Sequence, residues 1–190
     1  MPKRILHFDM ECRPLSWISS DYVSKEITAI SWGWHDQKEP KVELLTFTKD
    51  MTFLEFMSAY DDADIVTGHY IRGFDLPLLN TEIMRRGHGA LEPRLSVDTK
   101  IDLKKQHGRS NSQENLAAAL GVGVPKIHMT EQDWRDANRL SPAGLAKTRT
   151  RVMQDVRQHR ALYDRLIQLD MLGAPKLWTP ESKGGTRYHA

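Results

Sequence analysis

Three strand-like segments precede any helical pattern in this chain, and that order limits the folds open to it. Residues 5–10 form a short apolar run, and residues 26–34 are rich in β-branched and aromatic side chains. Residues 42–47 follow after the turn-like Asp36-Gln37-Lys38-Glu39-Pro40. Three successive strands of this kind predict an antiparallel meander. Apolar residues then recur at helical spacing at Phe53, Leu54, Phe56, Met57 and Tyr60, with Asp50 or Thr52 as a cap. Ile65-Val66-Thr67-Gly68 reads as a strand, 76–86 as a helix closed by Gly87, 95–99 as a strand and 112–120 as a helix stopped by Gly121. Residues 121–141 show no regular period. Residues 145–169 read as one long helix with Val152, Val156, Tyr163 and Leu166 along a stripe. Strands first, then alternating strands and helices, predict an α/β domain whose mixed sheet is flanked by helices.

The 190 residues, 39% of them hydrophobic, suit one core, expected over 1–172, with a loose tail over 173–190. The single cysteine, Cys12, excludes an intramolecular disulfide and fits a reduced, cytoplasmic compartment. Asp9 and Glu11 interrupt the first apolar run, which argues against a secretory leader, and no stretch has the ~18 apolar residues of a membrane span. A net charge of +2 carries no global signal for nucleic acid.

Chemistry enters at Phe8-Asp9-Met10-Glu11. Residues two apart on a strand share a face, so Asp9 and Glu11 aim together. Neighbouring carboxylates repel unless a cation or a proton lies between them. Alone, an Asp-x-Glu also suits a strand end meeting solvent. The second motif is Gly68-His69-Tyr70-Ile71-Arg72-Gly73-Phe74-Asp75-Leu76-Pro77. A strand ends there, a loop turns, and a helix opens at Phe74-Asp75 with Pro77 in its first turn. The plain reading of Asp75 is a helix N-cap. Phe74 is expected to anchor the loop in the core.

A strand-borne Asp-x-Glu followed by a Gly-His-x-x-x-x-Phe-Asp-x-Pro loop resembles the first two motifs of DEDD (DnaQ-like) 3′–5′ exonucleases. The match is nearest to the branch that includes the proofreading domains of family-B DNA polymerases. Val97-Asp98-Thr99-Lys100 resembles the Asp-Thr strand that follows in that branch, and the likeness spans roughly residues 4–169. The branch usually has Asn where this chain has Tyr70. The resemblance implies a ribonuclease-H-like fold. It also implies hydrolysis of phosphodiester bonds from the 3′ end of single-stranded or frayed DNA by a two-metal-ion mechanism. An exoribonuclease of the same class is one alternative. A catalytically weakened nucleic-acid-binding or polymerase-accessory module is the other.

The class needs a fourth carboxylate on a late helix, and two segments offer one. Arg151-Val152-Met153-Gln154-Asp155 resembles the Tyr-x-x-x-Asp of the tyrosine-bearing subclass, with Arg151 in place of tyrosine. His159-Arg160-Ala161-Leu162-Tyr163-Asp164 matches the His-x-x-x-x-Asp of the histidine-bearing subclass. The five-position gap from Tyr70 to Asp75 and the unbroken helix over 145–169 favour Asp155. The resemblance then implies metal binding by Asp9, Glu11, Asp75 and Asp155, with Asp9 bridging two ions. Oxygen ligands without a Cys or multi-His cage point to Mg²⁺ or Mn²⁺. A pair of such ions ~4 Å apart activates a water and steadies the leaving oxygen. Arg151 cannot act as a base but can donate to a phosphate, and His159 is the reserve candidate for positioning the water.

The expected partners are single-stranded 3′ ends, DNA before RNA, and a DNA polymerase or replication complex, with no membrane. Lys100, Lys104, Lys105, His107 and Arg109 form one basic run, and Lys147, Arg149 and Arg151 form another. Either could contact phosphates, although a solvated face is the commoner explanation. Trp32 and Trp34 could stack a base but more often pack a sheet. The resemblance also implies that an apolar side chain close after the first motif, Leu15 here, wedges against a terminal base.

Overall fold

The computed structural model describes residues 3–14, 25–44, 54–87, 89–104 and 111–181. The end of the expected third strand, the caps Asp50 and Thr52, Leu15, the basic residues from Lys105 to Arg109 and the tail from residue 182 lie outside the described residues. The elements run β1 (Ile5–Pro14), β2 (Lys25–Trp34), β3 (Lys41–Leu44), α1 (Leu54–Asp61), β4 (Ile65–Gly68), α2 (Asp75–Arg85) and β5 (Arg94–Asp98). Then follow α3 (Gln113–Ala119), α4 (Glu131–Asn138), α5 (Pro142–Gln168) and β6 (Lys176–Trp178). The sheet order is β3-β2-β1-β4-β5-β6. β1 pairs antiparallel with β2 and parallel with β4, so the sheet is mixed as expected. No helix among the described residues is long and apolar enough to cross a membrane.

Alternation along β1 divides the molecule. Leu6, Phe8 and Met10 point to a core shared with Phe56 and Tyr60 of α1 and Leu76, Leu79 and Ile83 of α2. Each such side chain stabilises the fold by about 1.5–3 kcal/mol when buried. His7, Asp9 and Glu11 point the other way, to the face covered by α5. A smaller apolar cluster on that face joins Ile65 and Val97 to Leu162, Tyr163 and Leu166.

β2 carries a bulge beside the site. Glu11 pairs with Ala29, but Cys12 pairs with Ile27, so Thr28 is the extra residue. The bulge shifts the alternation by one, which is how Ile27 and Ile30, three apart, enter the same core. Trp32 is buried there, and Trp34 packs at its edge beneath the Arg4 guanidinium, 4.2 Å from the ring centre. The pair therefore packs the sheet and does not form an open stacking platform.

Two elements escape the sequence reading. α4 lies within 121–141, opened by a capping box in which Thr130 and Asp133 satisfy each other's backbone N–H groups. It packs against α5 at Gly144, where a Cβ would overlap the Asp136 and Ala137 backbone. β6 falls in the expected tail, which is therefore not loose at its start. Lys176–Trp178 pairs with β5, and Trp178 is buried in the main core. α5 begins at Pro142, capped by Ser141, and runs unbroken past residue 159.

Candidate metal centre

β1 and α5 meet along a ladder of side-chain pairs. His7 faces His159, with their Nδ1 atoms 3.1 Å apart. Asp9 faces Asp155, and Glu11 faces Arg151. Going up, the strand advances two residues per rung, about 6.6 Å, while the helix steps back four, about 6 Å. The near-equal steps let an antiparallel helix follow the strand and give each inward side chain of β1 its own partner.

The middle of the ladder gathers negative charge. One carboxylate oxygen each from Asp9, Glu11 and Asp155 lie within 4.8 Å of one another. Asp155 is buried while Asp9 and Glu11 are only partly covered, so the cluster opens to solvent on one side. Burial raises the pKa of Asp9 well above the usual carboxylate value, and the charges of Asp75, Asp155 and Glu11 push it the same way. Burial also raises Glu11 and Asp155, against the opposing pull of Arg151 on both. Asp155 Oδ1 is buried with no hydrogen-bond partner. Buried acceptors rarely go unsatisfied, and a cation is one remedy. The donor set is all oxygen, so these residues fit a hard divalent ion such as Mg²⁺ or Mn²⁺.

Asp75 stands beside this triad. β1 pairs with β4 only as far as His7 and Thr67, leaving the β1 backbone beyond free on that side. The Asp75 carboxylate lies beside the Met10 backbone amide, which favours its ionised form, so the start of α2 stands next to the strand bearing Asp9 and Glu11. Burial, then the charge of Asp98, pushes its pKa up to about 8. The plain N-cap reading does not hold, because Phe74 occupies the cap position without a side-chain hydrogen bond.

The loop before Asp75 is held from beneath. Asp98 accepts the N–H groups of Tyr70 and Arg72 on its two oxygens, at 2.9 and 3.0 Å. Gly68 sits where a Cβ would be 2.7 Å from the Phe8 carbonyl and would overlap Ile71. Tyr70 has φ 70°, a left-handed conformation that Asn tolerates better than tyrosine, and its ring lies over Gly73. Ile71, fully buried, anchors the loop in the core in place of Phe74, which stays half-covered beside Lys25.

The remaining sequence candidates divide. Arg151 comes into the site, but its guanidinium is engaged. Nε donates to Glu11 at 2.5 Å, Nη1 to the Ile127 carbonyl at 2.7 Å, and Nη2 lies 3.7 Å from Asp155. His159 lies buried one turn away, bonded to His7, and does not join the carboxylates. Asp164 is half-exposed, outside the cluster, 3.6 Å from His35. In the second basic run, Lys147 lies 3.8 Å from Asp133 and Arg149 is exposed.

Sequence reading missed Lys126, whose charge acts on Asp9, Glu11 and Asp155 alike. It sits in a segment strapped across α5, where Gln158, Gln154 and Arg151 donate to the carbonyls of Val124, Pro125 and Ile127. Nothing local in the aperiodic sequence there announces it. His7 was also missed, although it stands two residues before Asp9 and so on the same face. Its ring links His159 to His35 through Nδ1 and Nε2 contacts of 3.1 Å each.

No family model and no curated protein matches the sequence. Among solved structures, the fold is similar to that of the family B DNA polymerase from the hyperthermophilic archaeon Pyrobaculum calidifontis. The TM-score is 0.61 at 21% identity, over 88% of this chain and 25% of that one. The chain thus corresponds to about a quarter of that polymerase's length. The shared architecture is the ribonuclease-H-like mixed sheet with flanking helices that the order of elements predicts.

Proposed function

We propose that this chain is a divalent-cation-dependent 3′–5′ exonuclease acting on single-stranded or frayed DNA ends. The observation that carries the reading is the cluster of Asp9, Glu11 and Asp155, with a buried, unpartnered oxygen on Asp155. Three carboxylates held this close are costly in an isolated protein and useful to a cation. The sequence motifs supply the reaction class and its direction. The fold likeness to a DNA polymerase supports DNA over RNA and a polymerase or replication complex as partner.

In this reading Asp9, Glu11 and Asp155 hold the cation, with Asp75 beside them as the fourth carboxylate of the site. Bound there, Mg²⁺ or Mn²⁺ activates the attacking water and neutralises charge on the phosphate. Lys126, whose charge acts on the same carboxylates, draws the phosphate backbone toward them in this reading. His159, buried and bonded to His7, is not placed to serve as a general base there.

The test is a 5′-labelled oligodeoxynucleotide offered with a free or a blocked 3′ end. The expected result is mononucleotide release from the free end only, in Mg²⁺ or Mn²⁺ and not in EDTA. Equal cleavage in EDTA, or degradation of the blocked substrate, overturns it, and preference for an RNA oligonucleotide transfers it to the exoribonuclease alternative. A second reading, a nucleic-acid-binding module without turnover, is favoured by the hold of Arg151 on Glu11. Binding of the oligonucleotide without cleavage in either metal would select it.

A further inference from the structure

We infer that Arg151 takes the place of one of the two cations, so that the centre binds a single divalent ion per chain. The inference rests on the exonuclease reading of the carboxylate cluster and concerns how its charge is neutralised.

The guanidinium is built in. It is gripped along its edge by Glu11, Asp155 and the Ile127 carbonyl, and its face lies 5.2 Å from the Trp134 ring centre. Its side chain is only 14% exposed. A planar, delocalised cation held on both edge and face does not swing away as a surface lysine does. To reach Glu11 in the same way, a second metal ion would have to break the shortest of these contacts.

The charges balance on the same terms. Asp9, Glu11 and Asp155 carry three negative charges when ionised. Arg151 and one divalent cation together carry three positive charges. A second divalent ion would leave an excess of two positive charges in a half-buried site, where like charges repel strongly. The oxygen still seeking a partner is Asp155 Oδ1, on the side away from the Arg151 Nη2–Oδ2 contact. That oxygen is the one Asp155 offers to a cation, within the same carboxylate cluster as Asp9. Glu11 serves the arginine first and the ion with its other oxygen.

The experiment is Mn²⁺ titration by calorimetry on the parent, on Arg151→Gln and on Arg151→Ala, with folding checked by circular dichroism. Arg151→Gln keeps much of the side-chain bulk and serves if alanine fails to fold. Electron paramagnetic resonance of the loaded proteins reports whether two Mn²⁺ ions are coupled at ~4 Å. The expected result is one Mn²⁺ per parent chain without coupling, and two coupled ions in the folded variant. Two ions in the parent overturn this inference and leave the exonuclease reading standing. One ion in both parent and variant overturns it as well. No ion in the parent with one in the variant shows that Arg151 replaces the only cation and overturns it in the other direction. No ion in any of them overturns the exonuclease reading and this inference with it.

Discussion

The two ends of the β1–α5 ladder are made from the same strand and the same helix, yet they are chemically opposite. At one end, His7, His35, His159 and Tyr163 pack ring against ring, with centroid distances between 5.2 and 6.4 Å. At the other, Asp9, Glu11 and Asp155 crowd like charges together around one arginine. The ring end resembles ordinary interior, with burial holding His159 down to about 3 and His7 well below the usual imidazole value. The carboxylate end opposes folding unless something positive enters. Two residues along a strand suffice to pass from packed rings to crowded carboxylates.

The largest effect expected is on turnover. Asp9→Ala or Asp155→Asn should lower cation-dependent release of nucleotides by more than about 10²-fold while the protein stays folded. Asp9→Asn should also raise the thermal midpoint of the cation-free protein, because it removes repulsion. A variant that turns over like the parent would strip the carboxylate end of its role. Next comes His159→Ala, which leaves His7 without its buried partner. A cost of about 2–3 kcal/mol is expected, or roughly 4–12 °C in the thermal midpoint, with Mn²⁺ binding retained. Loss of Mn²⁺ binding by a folded His159→Ala protein would erase the distinction between the two ends.

The pH dependence should be smaller, and opposite at the two ends. A carboxyl whose folded pKa is raised contributes stability that is fully present below its unfolded pKa and is lost as pH rises through the folded value. For Asp75 that window runs from 3.8 to about 8, and Asp9, Glu11 and Asp155 shift in the same direction. The histidines are lowered, so their contribution is present above 6.5 and is lost as pH falls toward about 3 for His159 and about 4 for His69. The cation-free protein should therefore lose thermal stability on both sides of a narrow optimum, and Mg²⁺ should flatten the alkaline side alone. Thermal midpoints from pH 4 to 9, with Mg²⁺ and with EDTA, check this; an alkaline limb unchanged by Mg²⁺ would break it. The smallest effect is Asp164→Asn. The contact it loses with His35 is exposed and contributes little, and neither the thermal midpoint nor turnover should change measurably.

How legible all this was in the sequence depends on range. Period-two alternation exposed Asp9 and Glu11 as partners, and the strand order announced the mixed sheet, because both are properties of neighbours along the chain. The choice between Asp155 and Asp164 lay nine residues apart on one helix, and only the helix's direction over β1 brings one of them to Asp9. α4 was hidden by its polar composition, although Thr130 and Asp133 carried its signature. β6 was hidden by its length of three residues, since a strand that short draws its pairing from β5. Lys126 had no signal at all, because its position is set by side chains of α5 that grip the chain around it.

The equal pace of strand and helix has a consequence for how such a chain can change over time. Substitutions on the ladder exchange one partner at one rung and leave the others where they are. A change in length does not. Deleting one residue of β1 before Asp9 would turn both acids into the apolar core and Phe8 and Met10 toward α5. Deleting one residue of α5 between Arg151 and His159 would rotate everything beyond it by about 100°. Within these two segments, spacing decides which side chains face each other, and identity decides only what each facing pair does.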